Sequence, residues 1–533
     1  MSREKSTQTG NTILVLVAMV LGVLIGLMFS QSAQRRAMPD TLQDKMSEVM
    51  RLVDDEYVDA IDVDSLSERL LAVMMRELDP HSAYLSARET ARTDEMMRGS
   101  FEGVGLVLHR EGDTTYVGQV MADGPSAGLG IMPGDKIITV DGDSVSGVGM
   151  PADTVVARLR GPRRTMVNVT VQRTGVEELL SFNIRRGVVP RHTVPYYTML
   201  DDTTGYVVLN SFASTSHDEF CEAVQGLKKR GMRRLVFDLR GNGGGSLNAA
   251  IDIAGELLPR GSLIVYTEGY HSRRRNVYSR GGGLFTEGSV VVMVDENSAS
   301  ASEVVSGALQ DNDRATIVGR RTFGKGLVQT DFALRDGSSV LLTTARYYTP
   351  SGRCIQRPYT SGTEEYYRDY LNQLMEETYA DSSTVRIADT TPYYTTAGRV
   401  VYGGGGIIPD QLLQLHRDST LIYYNQLASR GLINTVAFGY VRKNASRILG
   451  QYPDAESFEK GFRVGKSLVD ELVATGEAAG IACNQASLEK QRPLIEAMLK
   501  ADIGMAIYGE KAFYDSYMTQ DDDLKQVMNQ RQI

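Results

Sequence analysis

Between residues 203 and 350 the chain alternates short apolar strands with helices, and that rhythm restricts the fold more than any other feature of its 533 residues. GYVVLNSF is strand-like, HDEFCEAVQGLKKRG helical, LVFDL a strand and SLNAAIDIAGELL a helix. SLIVYTEG and VVVMVD follow as strands, ASEVVSGALQ as a helix, then ATIVG and LVQTDFAL as strands. Such a pattern predicts an α/β domain with a largely parallel sheet covered by helices. In sheets of this kind, sites lie beyond the carboxyl ends of the strands.

A single core rarely grows past about 250–300 residues, so several domains are expected. Residues 40–96 carry apolar side chains at three- and four-residue spacing, as in VMRLVDDEY and LSERLLAVMMREL. They predict helices, interrupted by LDPHSAYL (78–85) at Pro80. From about 97 to 186 the texture becomes VGLVLHREG, TTYVGQVM, DKIITVDG and MVNVTVQR, strands with glycine turns around one helix, MPADTVVARLRG. That is a small, mostly β module. Residues 360–403 are polar and tyrosine-rich and predict an insertion; beyond GGGGIIPD (403–410) the chain is helical again, a packing or assembly domain without a catalytic signature.

The N-terminal stretch TILVLVAMVLGVLIGLMF, residues 12–29, holds 18 residues without a charge. As a helix it would span roughly 27 Å, close to a hydrocarbon core of about 30 Å. Arg3 and Lys5 before it favour a cytoplasmic N-terminus with the rest exported, although Arg35 and Arg36 stand on the far side. A retained anchor is expected; SQSA at 30–33 leaves cleavage of a signal segment as the rival. The formal charge of −9 argues against a protein built to neutralise nucleic-acid phosphates. Three scattered cysteines exclude a disulfide scaffold and a cysteine-rich zinc site, and no metal or cofactor is expected.

The stretch GRRTFGKG, Gly319 to Gly326, imitates a phosphate-binding loop. Such a loop opens a helix and follows its lysine with Ser or Thr. Here Gly326 takes that place and LVQTDFAL reads as a strand, so nucleotide hydrolysis through this loop is left as a remote alternative. A lysine pressed between glycines fits a general base instead. Burial disfavours the ammonium, bringing a pKa of ~10.4 toward the range where the amine accepts a proton. A nucleophile is available in SASASEVVSGAL, where a buried strand turns directly into a helix and offers Ser298, Ser300 and Ser302. Ser300-x-x-Glu303 is also a capping-box pattern, and capping alone would explain a serine there. Six scattered histidines suggest no histidine base, though a Ser–His–Asp triad in another order stays open. The glycines of LVFDLRGNGGGSL, Gly243 to Gly245, can turn backbone N–H groups toward a developing oxyanion, or simply form a helix-entry turn.

Together these segments resemble the carboxyl-terminal processing peptidases, or tail-specific proteases, serine endopeptidases of the bacterial envelope and of plastids. The matching pieces are LDPHSAYL, FEGVGLVL (101–108), GPSAGLGIMPGDKIITVDG (124–142), DLRGNGGG (238–245), SASASE (298–303), TFGKGLVQT (322–330), ARYYTPSGRCIQ (345–356) and GGGGIIPD, in the family's order across residues 45–410. The resemblance implies a crotonase-like α/β protease core with an inserted PDZ-like β module, an N-terminal membrane helix and a helical C-terminal extension. The implied divisions are 1–36 (anchor or signal), 37–96 (helical part of the protease), 97–187 (PDZ-like), 188–415 (protease core, with the 360–403 insertion) and 416–533 (helical). It further implies a Ser–Lys dyad, with Ser300 as nucleophile, Lys325 as base and Gln329 orienting the lysine. Ala301 and Gly244 would supply the oxyanion N–H groups. Gly103, Val104, Gly105 and Leu106 would receive a substrate's C-terminal carboxylate, and Val104, Leu106, Val155 and Leu159 would line its side-chain pocket. The expected partners are proteins with free C-terminal tails, the membrane through the N-terminal helix, and a second copy or an adaptor through the C-terminal helices, with no nucleic acid. The expected place is the periplasmic side of the inner membrane. A non-catalytic PDZ-type scaffold is the alternative from a different class.

Overall fold

Six strands in the order Tyr196–Met199, Thr204–Val208, Arg234–Asp238, Ser289–Val294, Thr316–Gly319 and Gln411–Leu412 form the central sheet. The first pair is antiparallel and the other pairings are parallel. This is a computed structural model, and it describes residues 40–360, 362–379, 387, 389–413 and 422–529. The apolar stretch 12–29 lies outside the described residues, and no described helix is long and apolar enough to cross a membrane. The chain divides into two compact units, 1–74 and 75–533. The first contributes the helix Asp40–Glu56 and most of Val63–Arg76; everything below concerns the second.

Strand Thr204–Val208 is buried throughout, as is Val290–Val294, because both faces of the sheet are covered. On one face, helices Ser216–Lys229, Leu247–Leu257 and Ala301–Asp311 bring Phe220, Leu227, Ile253, Leu257, Val305 and Leu309 into a core with Val207, Phe237 and Val292. On the other, Tyr206, Val236, Val291 and Val318 meet Leu524 and Val527 of the C-terminal helix Asp522–Asn529. The near-continuous Val/Ile/Leu runs of the sequence are a consequence of that double burial.

The strand–helix rhythm suggested one sheet, but the structure contains a second. Leu263–Glu268 and Leu327–Ala333 both pair antiparallel with Ser339–Tyr348, in a sheet that also holds Ala83–Leu85 and Arg275–Tyr278. Leu327–Ala333 and Ser339–Tyr348 form a hairpin closed through Asp336-Gly337, with Gly337 at φ +88°. Asp-Gly is a hairpin signal in its own right, and alternation alone does not say which sheet a strand joins. In this second sheet Leu327–Ala333, which follows the Lys325 loop, and Ala83–Leu85, which follows LDPHS, flank Ser339–Tyr348 on opposite edges.

The small β module orders its strands Leu106–Glu111, Thr114–Val120, Lys136–Val140, Met166–Gln172 and Leu180–Arg185, with helix Ala152–Leu159 packed on them. Its entering and leaving segments pair with each other, Ser100–Gly103 against Gly187–Pro190, so the module hangs on a two-stranded stalk. The insertion provides helix Thr363–Tyr379 and the hairpin Asp389–Tyr394 with Val400–Gly403.

From Ile422 the chain is helical, with Phe458, Leu472, Ile495, Leu499 and Ile503 in a core of its own. This helical part packs on two others. Phe438 stacks 3.9 Å from the His109 ring of the β module, and Arg442 pairs with Glu111 at 2.6 Å. Asp521 and Asp523 reach the carboxyl ends of the central strands, where they bind Arg240 and Arg320.

One further pair is fully enclosed. Arg353 donates to Asp311 Oδ1 (2.7 Å), Gln310 Oε1 (2.6 Å) and the Tyr402 carbonyl (2.9 Å), and both charged side chains are 0% exposed. Removing one partner of such a pair strands the other charge away from water. Arg353→Met should therefore lower unfolding stability by roughly 3–5 kcal/mol, read from the urea midpoint and slope.

Candidate active site

Three loops meet at the carboxyl end of the central sheet. The first follows strand Ser289–Val294 and leads within six residues into helix Ala301–Asp311. Asp295 Oδ1 holds it by accepting from Asn297 N and Ser298 N (both 3.0 Å) and from Gly241 N of the neighbouring loop (2.9 Å). Ser300 ends this turn at φ +56°, ψ −111°, a conformation costly for a residue with a side chain and persisting only where the surroundings enforce it. The next residue, Ala301, opens the helix, where an N–H has no acceptor within the helix itself.

The second loop follows strand Arg234–Asp238 and holds the glycine cluster. A Cβ at Gly244 would fall 2.8 Å from Ser300 Cβ, 2.8 Å from the Ala299 carbonyl and 3.0 Å from Ala301 N. The glycine is what lets this loop lie against the serine. Ala299 N and Ser302 Oγ both donate to the Asn242 carbonyl, at 3.0 and 2.8 Å, fixing the two loops together. The Gly244 N–H, expected as an oxyanion donor, is engaged in this conformer: it donates to Asn242 Oδ1 at 2.9 Å.

The third loop is GRRTFGKG. Its first glycine serves the sheet, since a Cβ at Gly319 would sit 2.0 Å from the Val294 carbonyl of the adjacent parallel strand. No helix follows; strand Leu327–Ala333 begins directly after Gly326. Lys325 Nζ donates to Gln329 Oε1 at 2.7 Å, and Gln329 Nε2 donates in turn to the His81 carbonyl. The LDPHS segment is fixed by Asp79, which accepts from His81 N, Ser82 N and Ser82 Oγ.

What joins the first and third loops is Glu303. It is fully buried, and its carboxylate accepts four hydrogen bonds: Oε1 from Thr322 Oγ1 (2.6 Å) and Gly324 N (2.8 Å), Oε2 from Ser300 N (2.8 Å) and Lys325 N (2.9 Å). The main chains of Ser300 and Lys325 thus share one oxygen atom. Tyr347 repeats the link from another side, its hydroxyl 2.7 Å from the Lys325 carbonyl and 3.2 Å from that of Ser300. Phe323 N donates to the Ser298 carbonyl at 3.0 Å, a third tie between the loops. Among the described residues no hydrogen bond joins Lys325 Nζ to the Ser300 hydroxyl; the amine rests on Gln329.

Burial dominates the electrostatics. It pushes the Glu303 carboxyl up to about 7 against the pull of its four donors. Three of those donors are backbone N–H groups that cannot accept a proton, so the arrangement matches the ionised acid. Burial also lowers the Lys325 pKa, opposed by the charges of Glu303 and Asp79. His81 is brought down to about 4 by burial and then by Lys325, so its ring adds no positive charge near neutral pH. Tyr366 and Tyr370 of the insertion helix cover this corner, with Tyr366 5.5 Å from the His81 ring and Tyr370 4.9 Å from the Phe323 ring.

Known families match this chain in three places. Peptidase family S41 matches residues 203–365, the PDZ domain residues 93–172, and a family of unknown function, DUF8443, residues 423–509. The carboxy-terminal-processing protease of Bartonella bacilliformis is 34% identical over 320 residues, 58% of this chain and 72% of that protein. The carboxy-terminal processing protease CtpA of Bacillus subtilis is 32% identical over 320 residues, 60% of this chain and 67% of that one. The chain belongs to the carboxy-terminal processing proteases of family S41. It is a serine protease carrying a PDZ domain. The solved photosystem II D1 C-terminal processing protease is 32% identical, over 57% of this chain and 87% of that one, with a TM-score of 0.32.

Of the residues singled out in the sequence, this protease brings Ser300, Ala301, Gly244, Lys325 and Gln329 to one place. Gly103 to Leu106 lie apart, at the top of the PDZ module's stalk. There Val104 and Leu159 are each 4% exposed and Val155 is 0%, all within the module's core, and Leu106 packs against it half-buried. Salt bridges from Asp153 to Arg88 and from Arg160 to Glu95 tether this helix region to helix Ala87–Arg98. Sequence reasoning missed Asn242, Tyr347 and His81 as parts of the site. It saw Glu303 only as a helix cap, although the capping-box glutamate was its visible signal.

Glu303→Gln keeps the shape but turns one of the two acceptor oxygens toward its neighbours as an NH2 group, facing two donors. Buried donors left without partners cost about 1–3 kcal/mol each. The variant should lose at least about 2 kcal/mol of stability in denaturant titration and most of its turnover; a variant of unchanged stability and rate would show the carboxylate is dispensable.

Proposed function

We propose that this protease is an endopeptidase that takes proteins by a free C-terminal tail on its PDZ domain and cleaves them with a Ser300–Lys325 dyad. The observation that carries the dyad is the Glu303 bridge, which holds both main chains on one carboxylate oxygen. In this mechanism Gln329 takes one N–H of the neutral amine, leaving its lone pair for the Ser300 proton as the hydroxyl attacks a peptide carbonyl. Ala301 N–H, at the positive end of its helix, steadies the oxyanion. The second donor comes from the glycine loop once the Gly244 amide turns from Asn242 to the substrate. The protonated lysine then gives its proton to the leaving amine. Water, deprotonated by the same lysine, releases the acyl group.

Tail capture is supported by the loop before strand Leu106–Glu111. Among the described residues, the N–H groups of Val104 and Gly105 donate to no protein acceptor, while the Val104 carbonyl is held by Ser126 N (3.0 Å) and Ser126 Oγ (2.6 Å). Free amides on a fixed loop suit a carboxylate. The uncharged 12–29 stretch supports an anchor in the inner membrane with the protease on the periplasmic side, acting on envelope proteins. The C-terminal helices are open to a second copy or an adaptor on the faces they do not use internally.

Ser300→Ala and Lys325→Ala should each reduce cleavage of an unfolded, apolar-tailed substrate by at least about a thousandfold while leaving tail-peptide binding intact. Retained cleavage in either would refute the dyad; binding without cleavage by the wild type would make the protein a scaffold. Because the base must be uncharged, kcat/KM should rise with pH through one ionisation. Burial places that ionisation below the 10.5 of an ordinary lysine. A kcat/KM that falls with rising pH across this ionisation, or that rises only at or above 10.5, would contradict the assignment.

A further inference from the structure

We propose that His217, Cys221 and Glu256 form a transition-metal site, suited to zinc, that clips helix Ser216–Lys229 to helix Leu247–Leu257. His217 and Cys221 are four residues apart on one helix and therefore lie on the same face. Glu256 reaches them from the next helix. The His217 Nε2 to Glu256 Oε1 distance is 3.0 Å and the Cys221 Sγ to His217 Nε2 distance 3.5 Å. All three ligand atoms lie within 4.8 Å of one another. Around a tetrahedral zinc with bonds of about 2.0 Å to N and O and about 2.3 Å to S, ligand atoms stand roughly 3.3–3.7 Å apart. Rotations of about an ångström bring the three to that spacing, with water in the fourth position.

The surroundings fit a cation. Glu256 Oε2 accepts from Leu284 N at 2.8 Å, which fixes the carboxylate and leaves Oε1 for the ion. His217 Nδ1 stands 3.5 Å from the Asp218 carboxylate, the outer partner that commonly steadies a metal-bound imidazole. Among the described residues no lysine or arginine pairs with Glu256. Without an ion the Cys221 thiol is held protonated, pushed up to about 12 by burial and then by Glu256 and Asp218. A divalent cation at the centre reverses that balance: the thiol releases its proton to solvent as the metal–sulfur bond forms. One nitrogen, one sulfur and one oxygen donor match zinc. The helix carrying Glu256 begins at Ser246, directly after the glycine loop, so the clip would stiffen the far end of the element that positions that loop.

Cobalt(II), titrated into the intact reduced protein, tests this. One equivalent should produce a thiolate-to-cobalt charge-transfer absorption, displaced by an equivalent of zinc. The band should vanish in Cys221→Ser and weaken sharply in His217→Ala, while Cys354→Ser and Cys483→Ser keep it. Each metal should raise the thermal midpoint of the wild type and leave that of Cys221→Ser where it was. No band at stoichiometric cobalt, or a band that survives Cys221→Ser, would overturn the proposal.

Discussion

A single buried carboxylate organises the loops at the carboxyl end of the central sheet. Glu303 has no contact with solvent, and its two oxygens satisfy the amides of Ser300, Gly324 and Lys325 and the hydroxyl of Thr322. Those groups belong to two loops 22 residues apart in sequence, each leaving a different strand of the central sheet. Without the carboxylate, three buried or part-buried backbone N–H groups would lose their acceptor, which disfavours closing the loops on each other in this form. The strained Ser300 backbone is tolerated because the same interaction holds its amide.

The arrangement sets two opposing influences on Lys325. Burial favours the uncharged amine, whereas the negative charges of Glu303 and Asp79 favour ammonium. Glu303 is kept on the backbone side, occupied by four donors, while the amine itself points to the neutral Gln329. Geometry therefore spares the lysine a direct ion pair, and burial prevails. The C-terminal helical part reaches the same loops from outside. Asp521 clasps Arg240 of the glycine loop with bonds of 2.6 and 3.1 Å, and Asp523 binds Arg320 of the lysine loop at 3.1 Å. Phe438 and Arg442 hold the PDZ module from the same part. Its role here is packing within the chain, which ties the position of the module to that of the active-site loops.

Much of this was legible in the sequence because it is local. Apolar runs bounded by glycine gave the central strands, and small residues between strand and helix marked the Ser300 turn. A lysine among glycines, followed by a strand rather than a helix, told against a phosphate loop. What was missed, His81 and Tyr347 among it, depends on contacts between distant residues. Gln329 meets His81 across 248 positions, and Tyr347 lies 47 residues from Ser300. The hydrogen bond from the Gly244 amide to the Asn242 side chain, two residues earlier, is a local detail that the glycine run does not announce. Val155 and Leu159 carry the same apolar pattern whether a helix lines a pocket or fills a core; both belong to the module's core. Gly406 was a motif letter in the sequence; in the structure a Cβ there would come 2.3 Å from the Thr322 carbonyl, so the GGGG run buttresses the lysine loop.

The claim on which the account stands is that the buried amine of Lys325 loses its proton more readily than a solvated lysine despite the carboxylate behind its loop. Site-resolved NMR titration of the Lys325 side chain in the intact protein, assigned by the signal missing from Lys325→Arg, measures this directly. The account predicts a midpoint clearly below 10.5. A midpoint at or above that value would mean that the charge of Glu303 outweighs burial, leaving the lysine an ammonium unable to take the Ser300 proton.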